Sequence, residues 1–77
     1  MNDLREALAA YAHRAWAFWM QYLFTKSKKN SDGTVTIPQH LAARWHRQLI
    51  TLYADLSESE KESDRKQADK ILRIIGK

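Results

Sequence analysis

Cysteine is absent, so neither disulfides nor thiolate-held zinc can staple this fold. Proline occurs once, at Pro38, and glycine twice, at Gly33 and Gly76. That is too few turn formers for a sandwich or barrel, which turns after every short strand. Long apolar runs are also missing. The longest, Ala15 to Phe24, is interrupted by Gln21 and is half of the ~20 residues a membrane span requires. The first residues include Asp3, Arg5 and Glu6 and lack the basic-then-apolar layout of a signal peptide, so the expected location is cytoplasmic. What remains is a 77-residue chain, 44% hydrophobic and 29% charged, an ordinary balance for a small soluble helical domain. A chain this short buries only roughly 60% of its unfolded surface, so dense helix packing or self-association must compensate.

Thirteen lysines and arginines against nine acids give a net charge of +4. All of it falls in residues 1–54, which hold seven basic and three acidic side chains; residues 55–77 hold six of each. An excess of this kind suits an anionic partner, and equally suits plain solubility.

The chain reads as all-α, one domain of three helices with a basic loop between the first two. Helix one is expected over about residues 3–25, opened by a capping box of Asp3 and Glu6. Leu4, Leu8, Tyr11, Ala15, Phe18 and Tyr22 form its apolar stripe. From Ala15 onward Trp16, Trp19, Met20, Leu23 and Phe24 make the helix apolar all round, the pattern of an element buried on more than one side. Residues 26–37 read as a polar basic loop lying on the core, with Thr34 to Ile37 extended but lacking a partner strand. Pro38 suits the first position of helix two, over about residues 38–53, with Leu41, Trp45, Leu49 and Leu52 as its apolar face. Helix three, over about residues 58–75, opens with a capping box of Ser57 and Glu60 and makes its apolar contacts late, at Ala68, Ile71, Leu72 and Ile75.

His40, Arg44 and Arg47, at i, i+4 and i+7, line one face of helix two. Guanidinium forks match phosphate oxygens in pairs, so the stripe is a candidate phosphate grip as well as a solvated face. Trp16, Trp19, Tyr22, Trp45 and Tyr53 are a heavy aromatic load, suited to stacking on a nucleobase or to filling a core and a dimer interface. Asp64 and Arg65 fall beside the apolar line of helix three, where each needs a partner on another helix or on a ligand. The histidines His13, His40 and His46 lack a metal-binding spacing, and no serine sits on a nucleophile elbow. The expectation is a protein with no metal, cofactor or catalytic residue.

Trp16, Trp19, Met20, Tyr22, Leu23 and Phe24, followed by Ile37-Pro38, Arg44-Trp45 and Arg47-Gln48, resemble a family of short uncharacterised helical proteins of bacteriophages and prophages. The likeness covers nearly the whole chain. Tyr53, Leu56, Ser57-Glu58, Glu60-Lys61, Asp64-Arg65, Ala68 and Leu72 continue it, and also look like the closing helix of the ryanodine-receptor repeat domain. His13 and Trp16 are similar to that domain's opening His-x-x-Trp, so this second likeness covers the two ends. The phage resemblance implies a host-takeover or anti-defence factor, either an inhibitor of a host protein or a small oligomer that traps a nucleotide signal. The repeat-domain resemblance implies a nucleotide-derived ligand.

Three readings follow. The leading one is a non-enzymatic phage-type protein, in the cytoplasm of an infected or lysogenic host, that sequesters a nucleotide-derived anion. Trp16, Trp19, Tyr22, Trp45 and Tyr53 would then supply aromatic faces, and His40, Arg44, Arg47, Asp64 and Arg65 the polar contacts. The others are a nucleic-acid-binding module using helix two, and an inhibitor presenting the aromatic surface of helix one to a host protein. In each, self-association as a homodimer or higher oligomer through helix one is expected, since Trp16, Met20 and Phe24 at i, i+4 and i+8 would otherwise stay exposed.

Overall fold

The computed structural model describes residues 2–76. Helix α1 runs Asn2–Lys26, about 37 Å at 1.5 Å per residue, through a segment free of glycine and proline. Asp3 therefore sits inside the first turn, where its charge favours the positive end of the helix dipole, and is not the cap expected of it. At the far end Ser27 is buried, and its hydroxyl donates to the Leu23 carbonyl at 2.7 Å. The Lys29 ammonium reaches the Phe24 carbonyl at 3.5 Å. Orphan carbonyls of the last turn are thereby satisfied.

Residues 26–37, expected as a basic loop lying on the core, carry a short hairpin. Lys28–Lys29 (β1) and Val35–Thr36 (β2) pair antiparallel, Lys28 opposite Thr36 and Lys29 opposite Val35. The extended segment finds its partner six residues upstream in its own chain. Polar side chains fix the turn between them. Asp32 Oδ1 accepts from the Thr34 amide at 3.0 Å and from its hydroxyl at 2.6 Å, and the Asn30 amide donates to the Thr34 and Thr36 hydroxyls. Gly33, at φ +90°, supplies the left-handed residue that closes the turn.

Pro38 lies one position earlier than expected, as the cap of α2 (Gln39–Leu49). The helix also ends earlier, at Leu49 in place of residue 53. Ile50 and Thr51 are both β-branched, and the Thr51 hydroxyl turns back onto the Arg47 carbonyl. A 3-10 turn, η1, follows at Tyr53–Asp55, and α3 spans Glu58–Ile74. Its expected capping box is present: Ser57 Oγ accepts from the Glu60 amide at 3.2 Å, and Glu60 Oε1 accepts from the Ser57 amide at 3.1 Å. The described residues are thus three helices and one small hairpin, and no described helix is long and apolar enough to cross a membrane.

Helices α1 and α3 meet where the Tyr11 hydroxyl donates to the Gln67 side-chain carbonyl. Helix α2 joins α1 through Tyr22 and Trp45, 6.2 Å between ring centroids, and joins α3 through Arg47 and Glu60. Little apolar surface is enclosed by these contacts. Tyr11 and Leu41 are the buried hydrophobic side chains among the described residues. Leu49, the last residue of α2, and Leu52, beyond its end, were expected on the apolar face of helix two and are 80% and 75% exposed. Along α3 Ser63, Gln67 and Ile74 are half-buried, while Ala68, Ile71, Leu72 and Ile75 are exposed.

The molecule measures 46 × 32 × 16 Å. Its shortest dimension is little more than one helix with its side chains, roughly 10–12 Å. A radius of gyration of 15.7 Å exceeds the roughly 11–12 Å of a compact chain this long. The aromatic segment of α1, expected to need cover from beyond the single chain on its second side, is open there: Trp16 is 59% exposed and Phe24 48%.

Candidate functional site

The ten residues singled out by sequence fall into separate groups. Trp19, Tyr22 and Trp45 form a ladder of rings between α1 and α2, with Trp19 edge-on to Tyr22 at 6.0 Å and Tyr22 tilted against Trp45 at 6.2 Å. The Lys26 ammonium sits over the Tyr22 ring at 5.6 Å. Tyr22 and Trp45 are each half-buried, so the ladder is an interhelical joint with Trp19 at its open end. Trp16 lies away from the ladder and stacks on His13, 5.9 Å away.

The basic stripe of α2, a candidate phosphate grip or solvated face, divides between exposed and paired side chains. His40 and Arg44 are exposed, but Arg47 Nη2 lies 2.5 Å from Glu60 Oε2, inside the cap of α3. Arg47 first, and then the Ser57 amide, hold the Glu60 carboxyl below its ordinary range. One guanidinium of the pair is thereby committed to the fold.

Asp64 and Arg65 also depart from expectation. The outward side of α3 has no core for them to border, and both are exposed. Arg65 pairs within its own helix, with Glu58 at 3.2 Å and Glu62 at 3.4 Å. Glu58, and after it the nearby Tyr53, hold the Arg65 proton more firmly than usual. Tyr53 also carries the Lys61 ammonium over its ring at 5.8 Å, so Tyr53 and Arg65 are brought together at the start of α3.

Sequence reasoning missed the concave surface. A groove of about 490 Å³ lies between α1 and α3, adjoined by a second of about 340 Å³. Phe18, Gln67, Lys70 and Arg73 line both. Arg14 belongs to the first lobe, while Trp19, Ser63, Lys66 and Asp69 belong to the second. The balance of six bases and six acids over residues 55–77 conceals a polarised helix. Four of its five acids, Glu58, Glu60, Glu62 and Asp64, precede Lys66, Lys70 and Arg73, with Asp69 the one acid among those later bases. That order complements the helix dipole and loads one half of α3 with positive charge, although the segment as a whole is neutral. The signal was present in the i, i+4, i+7 spacing of those three bases.

No protein-family model matches the chain, and neither a curated protein nor a solved structure does so.

Proposed function

We propose that the chain is one subunit of a non-enzymatic homo-oligomer of phage type that binds and sequesters a nucleotide-derived anion in the cytoplasm of an infected or lysogenic bacterial host. The observation that carries the assembly is surface area. The chain exposes 6485 Å², against roughly 4,900 Å² for a folded monomer of 9.0 kDa. The excess, roughly 1,600 Å² per chain, falls in the range of about 1,000–2,500 Å² that each partner contributes to an obligate homodimer. A second copy is the partner whose supply always matches the subunit, and a two-fold contact lets the outward row of α1, Trp16 and Phe24 with Met20 between them, meet itself.

The anionic ligand is supported by a net charge of +4 and by the aromatic and cationic groups around the α1–α3 groove. A non-enzymatic role is consistent with the titrating groups that the fold perturbs. Asp32, Glu60 and Arg65 are surface groups held in a turn or in ion pairs, outside the groove. Readout of nucleic acid by α2 has lost one of its two arginines to Glu60. An inhibitor of a host protein would use the same α1 row as the dimer, so the two readings separate on assembly in the absence of host proteins.

Unfolding supplies the test. An obligate dimer melts at a temperature that rises with protein concentration. The midpoint is expected to climb over a hundredfold concentration series; a midpoint independent of concentration contradicts obligate assembly.

A further inference from the structure

The two lobes between α1 and α3 share a wall in which chemistry of opposite kinds meets. Lys66, Lys70 and Arg73 follow at i, i+4 and i+7, so all three project on the flank of α3 beside its contact with α1. Arg14 faces the same groove from α1, held over the Tyr11 ring at 5.9 Å. None of these four cations takes part in an ion pair among the described residues, whereas Arg47, Lys61 and Arg65 all do. These four cations outnumber the one carboxylate of the two lobes, Asp69, and the positive charge left over is neutralised by an anion that spans them. Arg14 and Arg73 add forked donors matched to phosphate oxygens.

The apolar half of the wall is aromatic. Phe18 and Trp19 are 58% and 42% exposed and stand edge-to-face, 5.4 Å between centroids. Two open ring faces beside a cationic groove suit a planar heterocycle joined to a phosphate, since base–aromatic stacking adds roughly 1–3 kcal/mol per base. Ser63 and Asp69 line the same lobe as Trp19 and offer hydroxyl and carboxylate groups for a sugar or base edge. The two volumes fall within the usual range for small-molecule sites, about 300–1,000 Å³. The α1 row of Trp16 and Phe24 projects from another side of the helix, so pairing through that row leaves the groove open.

From this geometry we infer that the α1–α3 groove is a nucleoside-phosphate site. Lys70, Arg73 and Arg14 bind the phosphate, and Phe18 and Trp19 stack the base. The inference rests on the nucleotide reading above and assigns that reading to residues other than the α2 stripe.

Calorimetric titration of the full chain with a panel of linear and cyclic nucleotides tests it. The variants are Lys70→Ala/Arg73→Ala, Phe18→Ala, and a double variant, Arg5→Ala/Lys28→Ala, that removes the same charge elsewhere. The expected result is binding by the wild type and by Arg5→Ala/Lys28→Ala, with affinity lowered at least roughly tenfold in the two groove variants. Circular dichroism confirms that each variant remains helical. Equal binding by wild type and both groove variants overturns the groove while leaving the nucleotide reading in place. No binding by the wild type overturns both. A short oligothymidylate that binds while every nucleotide in the panel is inert overturns the small-molecule assignment.

Discussion

Arg47 Nη2 lies 2.5 Å from Glu60 Oε2, and the other oxygen of that carboxylate accepts the Ser57 amide at 3.1 Å. One side chain of α2 thus closes the first turn of α3. Glu60 is held below the ordinary value of 4.5, so its folded-state pKa is depressed. The stabilisation is fully present above the unfolded pKa and is lost as pH falls through the lower folded one. Carboxyl NMR titration is expected to place Glu60 below 4.5 in the wild type and to return it toward 4.5 in Arg47→Ala. A wild-type midpoint at or above 4.5 contradicts the linkage.

Gly33 closes the β1–β2 turn at φ +90°, and a Cβ added there would meet nothing within 4 Å. Gly33→Ala therefore isolates backbone strain from steric clash. A loss of about 1–2 kcal/mol is expected in hairpin protection by amide exchange, the cost of a left-handed non-glycine residue. Unchanged protection of the amides of Asn30 and Thr36 would remove the requirement for glycine.

The Tyr11 hydroxyl donates to Gln67 where α1 crosses α3, and Leu41 is the most deeply buried hydrophobic side chain described. Tyr11→Phe should cost about 1 kcal/mol in urea unfolding, the net worth of one hydrogen bond. Leu41→Ala should cost more, about 2–3 kcal/mol, because it removes apolar volume that is enclosed. The reverse order would mean that the contact of Leu41 with the rest of the chain is weaker than its burial suggests.

Trp16 is 59% exposed in the single chain yet has the character of an interface anchor. Trp16→Ser is expected to weaken self-association at least roughly tenfold while leaving helix content in the concentrated protein intact. Association unaltered by this change would place the interface away from the α1 row.

The helices and the Ser57–Glu60 cap were legible because their signals are local. Capping residues and apolar spacing act within one or two turns. The partner of Val35–Thr36 was harder to read, since a two-residue strand such as Lys28–Lys29 leaves almost no pattern, and its pairing depends on side-chain hydrogen bonds at Asn30 and Asp32. The inward side of each helix was least legible. Apolar spacing on α3 marked Ala68, Ile71, Leu72 and Ile75 as its contact stripe, but these side chains are exposed and polar Gln67 meets α1. Periodicity shows that a face seeks cover and is silent on whether the cover comes from the same chain. The concave surface between α1 and α3 was not read for a related reason: counting charge over residues 55–77 averaged away the excess of acids before Arg65 and of bases from Lys66 onward.

The excess surface of the single chain makes solution mass the most direct test of the account. Light scattering coupled to size exclusion, at about 100 µM chain, is expected to return at least twice the 9.0 kDa subunit mass. A folded species of 9.0 kDa at that concentration would contradict obligate self-association, and with it the claim that a second copy covers the outward apolar row of α1.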